Sequence, residues 1–593
     1  MVNNLLVEPR SSGSGLRFLR RGTHPSLCSI LLMLAPIVAL AQDLQIDASS
    51  VSNAGSYIPP NYPNGGVSHG GMFIVKAASG SGALGACGVK VADKFPIATS
   101  MNGTSMKISM GGSSFDVPMI YVVACAGTDQ LAGIVPSNVP PGAGTLTVAY
   151  NGHTGTAPIT VVDRTLGFFT INQGGTGVAI IQNFNSATDQ VINTLATSAK
   201  PGQYAIAWGT GLGPDGHSDV DAPQPTDIPI NLELYVGGKL AAVTYKGRSG
   251  CCSGIDQIVF QVPDGLDGCY VPVVAKIGTA VSNFTTMSVS ASGGACSDSG
   301  GLSASDIQTA QRTNQIRLGV IDLFRADIEL VTANTGFITR YDQAAAVFTD
   351  LAFADLLGMP VREISTPGSC TVWRGNPSDA ILNRPPVLAP HINLDAGSIT
   401  VQGAAGSSAM NYQGNFYSAL LGTASSSEPP SGPGPTTGFL EPGSFTVSSP
   451  GGGPVPGGKL IGAFSAQIGV PAPPRFDNRF AVGDVQRGQS VTVNWSGVDA
   501  GALVEIRGVS APNDPAVGAV TFFCIEKASA GQFTIPPSVL LSLPASTGSS
   551  TAANGSALGL SVGVTGVARF NAPGVDAGLL RFSSLIGRSV SFH

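Results

Sequence analysis

Residues 232–238 read LELYVGG, a segment in which apolar and polar side chains alternate before two glycines. A period of two puts alternate side chains on opposite faces of a β-strand, so one face of this segment is predicted to be buried. Paired glycines can adopt the positive φ angles of a tight hairpin turn, which β-branched residues resist. We therefore predict two strands that meet at Gly237 and Gly238.

The same pattern occurs earlier, where residues 106–112 read MKISMGG. In both places a cysteine, an Asp-Gln pair and a Val-Pro pair follow at nearly equal spacings, which indicates two tandem copies of one domain. The corresponding positions are Cys125 and Cys252, Asp129 and Asp256, and Val135 and Val262. Upstream, Phe73 and Val75 are predicted to correspond to Tyr204 and Ile206.

The composition favours strands over helices throughout the chain. Charged residues make up 11% of the 593 residues, against about 25% in a typical protein. Gly (78) and Pro (42) are abundant, and Thr, Ser, Asn and Gln fill the polar positions, as on exposed strand faces. We predict a mainly β fold with tandem immunoglobulin-like β-sandwich domains and a minor α-helical element in the second half.

The N-terminus has the layout of a signal peptide. Arg17, Arg20 and Arg21 precede an apolar stretch over residues 27–40, which is shorter than a membrane span, and the small residues of Ala39-Leu-Ala41 suit cleavage before Gln42. We expect a secreted protein, extracellular, periplasmic or at the cell surface, without a transmembrane segment in the mature chain.

Export makes the remaining cysteines disulfide candidates. The candidates are Cys87, Cys125, Cys251, Cys252, Cys269, Cys296, Cys370 and Cys524. Their pairing stays open, although two local bridges are expected between residues 251 and 296, for example one that joins Cys252 to Cys269.

Several segments of the first half resemble a known family. They are residues 53–57 (NAGSY), 140–148 (PPGAGTLTV), 199–202 (AKPG), 208–213 (WGTGLG) and 250–272, with its three cysteines. Together they resemble the Solibacter-type domain of unknown function, found in secreted acidobacterial proteins, over about residues 44–298. The resemblance implies an extracellular β-sandwich and brings no known activity; residues 68–71 (SHGG) depart from the family's usual apolar-Pro-Gly start of the first sandwich.

The second half is predicted to mix strands with little helix. Ser303 is expected to cap a short helix that runs to Gln315, and alternation from Leu318 predicts a strand pair. Residues 343–357, rich in Ala, Phe and Leu, predict the main helix, and residues 423–437, rich in Ser, Pro and Gly, predict an exposed loop.

The predicted domain organisation follows from these patterns. It comprises a signal peptide (1–41), sandwich 1 (42–163), sandwich 2 (164–298), a mixed β region with one helix (299–395), a β region with a Pro/Gly-rich loop (396–474) and a C-terminal sandwich-like domain (475–593).

Motifs for chemistry are scarce. The chain has neither a His-Glu-x-x-His zinc motif nor a Gly-x-Ser-x-Gly elbow. Asp215, Asp219 and Asp221 are a weak candidate for a calcium site. The alternative, which we favour, is a solvated loop, because these residues lack the order of a calcium-binding loop. Exposed aromatic residues could form a platform for sugars, but the three tryptophans, at positions 208, 373 and 495, lie in apolar alternation and are predicted to be core residues.

Two functions follow as hypotheses. The first is a non-enzymatic extracellular or cell-surface binding or structural protein, with a polysaccharide or a surface protein as its partner. The alternative is an enzyme or enzyme accessory that acts on extracellular polysaccharide, since paired carboxylates leave no sequence motif. Nucleic acid is not expected as a partner, because the net charge is −6 and no basic patch is present after residue 41.

Overall fold

The computed structural model describes residues 44–125, 129–298, 301–331, 336–358, 366–374, 392–426, 438–452, 461–511, 517–546 and 559–593. The predicted signal peptide, residues 1–41, lies outside the described residues. The described chain is mainly β, as predicted, and no helix in these ranges is long and apolar enough to cross a membrane.

Sandwich 1 is formed by two sheets, ordered β1-β3-β9-β8-β4 and β2-β11-β10-β6-β5, with β7 paired to β6. Its apolar core includes Phe73, Val75 and Leu131. The strands are β1 (Ile46–Asn53), β2 (Val67–Ser68), β3 (Met72–Ala77), β4 (Gly88–Val91), β5 (Ser100–Met101), β6 (Thr104–Met110), β7 (Ser113–Asp116), β8 (Met119–Ala124), β9 (Gln130–Ile134), β10 (Gly142–Tyr150) and β11 (His153–Val162).

Sandwich 2 repeats this plan with sheets ordered β14-β13-β15-β20-β19-β16 and β18-β17-β21-β22, to which β12 and β23 are added. Gly237 and Gly238 have φ angles of 57° and 77°, and Gly111 and Gly112 have 55° and 82°, which confirms the predicted turns. The strands are β12 (Gly167–Phe168), β13 (Ile181–Ser186), β14 (Asp189–Ile192), β15 (Tyr204–Thr210), β16 (Thr226–Asp227), β17 (Leu232–Val236), β18 (Lys239–Leu240), β19 (Ala242–Arg248), β20 (Asp256–Gln261), β21 (Gly268–Ile277), β22 (Ala280–Val281) and β23 (Thr285–Val289).

The remainder, here called the C-terminal unit, is organised by one 13-stranded sheet, ordered β26-β37-β36-β39-β40-β24-β25-β30-β29-β28-β31-β32 with β27 paired to β25. A three-stranded and a two-stranded sheet accompany it. The strands are β24 (Gln315–Val331), β25 (Gly336–Ala352), β26 (Ser369–Arg374), β27 (Ile392–Asn393), β28 (Ile399–Gly403), β29 (Gly406–Tyr412), β30 (Tyr417–Ser426), β31 (Gly443–Gly451), β32 (Gly462–Val470), β33 (Arg475–Phe476), β34 (Asp484–Val485), β35 (Val491–Ser496), β36 (Leu503–Ser510), β37 (Val520–Lys527), β38 (Gln532–Ile535), β39 (Gly559–Phe570), β40 (Ala577–Ser589) and β41 (Ser591–Phe592). The helices are α1 (Ala304–Thr313), α2 (Phe353–Leu357) and α3 (Pro537–Leu540), with 3₁₀ turns at Arg479–Ala481 and Ala528–Ala530.

The large sheet crosses the predicted boundaries at 395/396 and 474/475. It curls so that β32 faces β39: the rings of Phe464 and Phe570 lie 5.0 Å apart, and Phe348 of β25 is 5.7 Å from Phe464. Strand β24 pairs in parallel with β40, Leu318 opposite Ala577. Regions that were predicted as separate domains therefore share one sheet and one core.

The helix predicted over residues 343–357 is wrong for most of its length. Residues 343–352 belong to β25, which pairs with β24 on one side and β30 on the other, and only α2 is helical. Two partner strands satisfy the backbone there, and this tertiary pairing overrides a composition that suits a helix. The strand pair from Leu318 is confirmed, as is the cap of α1, where Ser303 Oγ accepts the Asp306 amide N–H.

The predicted loop over residues 423–437 is divided. Residues 423–426 belong to β30, and residues 427–437 lie outside the described residues.

Candidate functional site

The predicted calcium loop lies where sandwich 2 meets sandwich 1. Asp219 accepts hydrogen bonds from the backbone N–H and the hydroxyl of Ser137, both at 2.7 Å. Asp215 lies 3.5 Å from Arg248, and Asp221 is exposed. Within the described ranges no group of three or more His, Cys, Asp or Glu side chains is arranged to hold a metal ion. Asp215 and Asp219 thus contact different protein groups, Arg248 and Ser137, and do not converge on one point.

Behind this loop is a buried ion pair. Arg248 Nη1 lies 2.9 Å from Asp256 Oδ1, and Asp256 Oδ2 accepts the amide N–H groups of Gly211 and Leu212 at 2.8 Å each. Burial raises the pKa of Asp256 to about 6, although Arg248 and the two amides act in the opposite direction. This aspartate fixes the turn that carries the Asp215 loop.

The eight cysteines form four disulfides, Cys87–Cys125, Cys251–Cys252, Cys269–Cys296 and Cys370–Cys524. Two of these bridges lie within residues 251–296, as predicted. The bridge suggested between Cys252 and Cys269 is wrong, because Cys252 is bonded to Cys251. Cys370 and Cys524 face each other across β26 and β37.

The three tryptophans differ in their surroundings. Trp495 is 4% exposed in the core of the C-terminal unit and donates its ring N–H to the carbonyl of Ala528, and Trp373 is half-buried on β26. Trp208 is also half-buried, and it lies on the outward face of β15 because its neighbour Ala207 is a core residue. The prediction of a core residue is confirmed for Trp495 and wrong for Trp208 and Trp373, neither of which belongs to a core cluster of the described residues.

The predicted match of Phe73 and Val75 on β3 with Tyr204 and Ile206 on β15 is wrong by one residue. Val75 pairs with Leu131 in sandwich 1, and Ala207 occupies the matching position opposite Ile258 in sandwich 2. Since a shift of one residue exchanges the two faces of a strand, Tyr204 and Ile206 point outward and not into the core. Sequence reasoning missed the outward face for this reason.

We call this surface the aromatic–amide face. Its members lie in three rows across β14, β13, β15, β20 and β19, as the strand registers show. The rows are Gln190, Phe184, Tyr204, Gln261 and Ala242; then Ile192, Gln182, Ile206, Val259 and Tyr245; then Trp208 and Gln257. None of these side chains carries a charge at neutral pH, and Phe184 and Tyr204 are 38% and 43% exposed.

Hydrogen bonds order part of this face. Trp208 donates its ring N–H to Gln182 Oε1 at 2.8 Å, and the Gln182 amide donates to the carbonyl of Gln190 at 3.2 Å. Gln261 donates to the carbonyl of Gly202 at 2.9 Å. Gln182 and Gln261 therefore hold fixed positions on this face.

Sandwich 1 provides a contrast on its six-stranded sheet, whose outward side we call the hydroxyl face. There Thr147 pairs with Thr156 on one side and Lys107 on the other, and Thr145 pairs with Ser109. Small hydroxyl groups and a lysine are usual on a solvated strand face. The hydroxyl face therefore lacks the aromatic rings of the aromatic–amide face.

A second cluster of ionisable side chains lies in the C-terminal unit. Arg340 Nε is 2.6 Å from Asp327 Oδ1, and its Nη1 is 2.8 Å from Glu441 Oε1. Asp342 accepts the backbone N–H groups of residues 439 and 440 at 2.6 and 2.9 Å, and burial raises its pKa. These contacts fasten the segment around residue 440 to the large sheet.

Comparisons with known proteins add only weak likenesses. No protein-family model matches the chain, and no curated protein matches it either. Among solved structures, a tandem of immunoglobulin domains from titin has a TM-score of 0.12 and 8% identity, covering 38% of this chain and 92% of that one. The N-terminal eight immunoglobulin domains of Down Syndrome Cell Adhesion Molecule have a TM-score of 0.13 and 10% identity, covering 89% of this chain and 53% of that one. InvD of Yersinia pseudotuberculosis has a TM-score of 0.11 and 9% identity, covering 65% of this chain and 89% of that one. The mainly β fold therefore rests on the sheets and cores described above.

Proposed function

We propose that the protein is a secreted, non-enzymatic binding or structural protein of the cell surface or extracellular space. The observation that carries the proposal is the aromatic–amide face, on which exposed rings lie between amides without an ionisable acid or base that could act near neutral pH. Four disulfides support an oxidising compartment. The resemblance of residues 44–298 to the Solibacter-type domain belongs to the same proposal.

Binding to an envelope fraction tests this function. The purified protein is incubated with bacterial envelope material and extracellular polysaccharides, and bound protein and released sugars or peptides are measured in the same samples. We expect retained protein without products. Released products would contradict a non-enzymatic role, and a lack of retention would contradict binding.

An enzyme or enzyme accessory acting on extracellular polysaccharide is the second candidate. It is favoured by the convergence of Asp327, Asp342 and Glu441, with the raised pKa of Asp342. If this cluster were catalytic, Asp342→Asn would abolish product release and leave retention unchanged. The ion pairs with Arg340 favour the structural role stated above.

A further inference from the structure

We propose that the aromatic–amide face binds a neutral polysaccharide chain, which rests on the proposed binding function and names its ligand class. A sugar ring has C–H groups on its flat surfaces and hydroxyl groups around its rim. Aromatic rings cover the flat surfaces, while groups that both donate and accept hydrogen bonds suit the rim. Exposed rings and side-chain amides occur together on this face.

The rings are spaced for a chain and not for a single sugar. Phe184 and Tyr204 lie level on neighbouring strands, and Trp208 is four residues further along β15. With strands ~4.8 Å apart and a rise of ~3.3 Å per residue, the face spans roughly 19 by 13 Å over its five strands. A ligand that contacts Phe184, Tyr204 and Trp208 together must therefore be an oligomer.

The amides supply hydrogen bonds of both kinds. A glutamine side chain has two N–H donors and a carbonyl acceptor, which matches hydroxyl groups that act in both roles. Gln190 and Gln261 flank the Phe184–Tyr204 row, and Gln257 lies beside Trp208. Each ring thus has an amide within one strand of it.

The lack of charge specifies a neutral polymer. Asp227, the nearest acid along the Trp208 row, lies beyond Gly247 and pairs with Lys246 at 3.3 Å. Anionic polysaccharides and nucleic acids would call for lysine or arginine, which this face lacks.

The composition also favours a glycan over a protein partner. Protein interfaces concentrate apolar side chains in a dry centre and use arginine as an anchor. On this face glutamines interrupt every row of apolar residues, and no arginine is present. The hydroxyl face of sandwich 1 shows that an ordinary solvated surface in this chain looks different.

The test is a sedimentation assay with four insoluble neutral polymers: cellulose, xylan, a β-1,3-glucan and starch. Wild-type protein is compared with Tyr204→Ala, Phe184→Ala and Gln261→Glu. The matched controls are Tyr412→Ala, an exposed tyrosine (53%) of the C-terminal unit, and Thr156→Glu on the hydroxyl face. Circular dichroism and melting temperature establish that each variant is folded.

We expect wild-type protein to sediment with at least one polymer, and each variant of the face to weaken binding by about tenfold or more. Controls should stay within about twofold, since they leave the face intact. Binding that survives all three face variants would overturn the assignment to this face and leave the binding function standing. Failure to bind any of the four polymers would overturn the assignment of a neutral polysaccharide as the ligand. If the protein were still retained on envelope material, the proposed binding function would stand with a different ligand.

Self-association is the remaining outcome. If light scattering shows a concentration-dependent dimer of the wild type that Tyr204→Ala abolishes, the face is an interface between copies of this chain and the proposal is overturned.

Discussion

Asp256 shows how one buried carboxyl can make the stability of a sandwich depend on pH. Its pKa of about 6 lies above the unfolded value of about 3.9. The folded chain therefore holds the proton more tightly, so the stability that this group contributes is fully present below about pH 4 and is lost as the pH rises through 6.

The variant Asp256→Asn cannot titrate and provides the reference. We expect the free energy of unfolding of the wild type, relative to this variant, to fall by roughly 2 kcal/mol between pH 4 and pH 7. Urea titrations followed by tryptophan fluorescence at several pH values measure the difference. A constant difference, or one that grows in favour of the wild type, would contradict the buried, desolvated carboxyl.

The two neighbouring aspartates Asp219 and Asp221 form a matched pair. Asp219→Ala removes both hydrogen bonds to Ser137, so it should lower the free energy of unfolding by roughly 1–3 kcal/mol. Asp221→Ala removes an exposed side chain and should change it by less than about 0.5 kcal/mol. Calorimetry with and without calcium measures both. Equal effects of the two substitutions would contradict the role of the Ser137 contact, and a calcium-dependent stabilisation that both variants lose would identify a cation site instead.

At the scale of elements, close packing between paired strands constrains the large sheet. A Cβ atom on Gly508 of β36 would overlap the ring of Phe522 on β37, which is fully buried, whereas one on Gly566 of β39 would meet open space. The two glycines therefore differ in what a methyl group would encounter.

Alanine at these two positions tests the packing. Gly508→Ala should destabilise the C-terminal unit by roughly 1–3 kcal/mol, because the ring must move within a full core. Gly566→Ala should be neutral or slightly stabilising, since it reduces the freedom of the unfolded chain. Thermal melts of the two variants decide; similar melting temperatures would count against the described contact.

Local patterns in the sequence predicted local structure, and pairing between distant strands was beyond them. The turn at Gly237 followed from two adjacent glycines, and the cap at Ser303 from four adjacent residues. The outward position of Tyr204 depends on a register that a slip of one residue reverses. The strand at Gln343 depends on partners in β24 and β30, and its own composition carries no sign of them.

At the scale of the whole molecule, the three folded parts are joined through a shared core. Val274, Val281 and Phe284 of sandwich 2 pack with Val372 and Phe522 of the C-terminal unit. Sandwich 1 reaches the same region through a loop, in which Tyr62 accepts the Gly518 amide N–H at 2.7 Å. Unfolding of the C-terminal unit should therefore weaken sandwich 2.

The disulfides allow a separate test, of how the length of the closed loop affects stability. Cys370 and Cys524 are 154 residues apart in sequence, whereas Cys251 and Cys252 are adjacent. Loss of the long bridge through a double serine substitution should cost roughly 3–5 kcal/mol, because it restores freedom to the unfolded chain. The bridge between the adjacent residues 251 and 252 closes no long loop, so the same double substitution there should cost far less stability. Equal losses of the free energy of unfolding in denaturant titrations would contradict this reasoning.

The parallel pairing of β24 with β40 has a consequence for synthesis. Arg317 and its partner Asp576 are 259 residues apart, which corresponds to roughly 10–50 s of translation at ~5–20 residues per second. During that interval β24 has no neighbour on one side, and an open strand edge invites pairing with other chains. We therefore expect a newly made chain to be open to pairing with other chains at this edge until its last strands arrive.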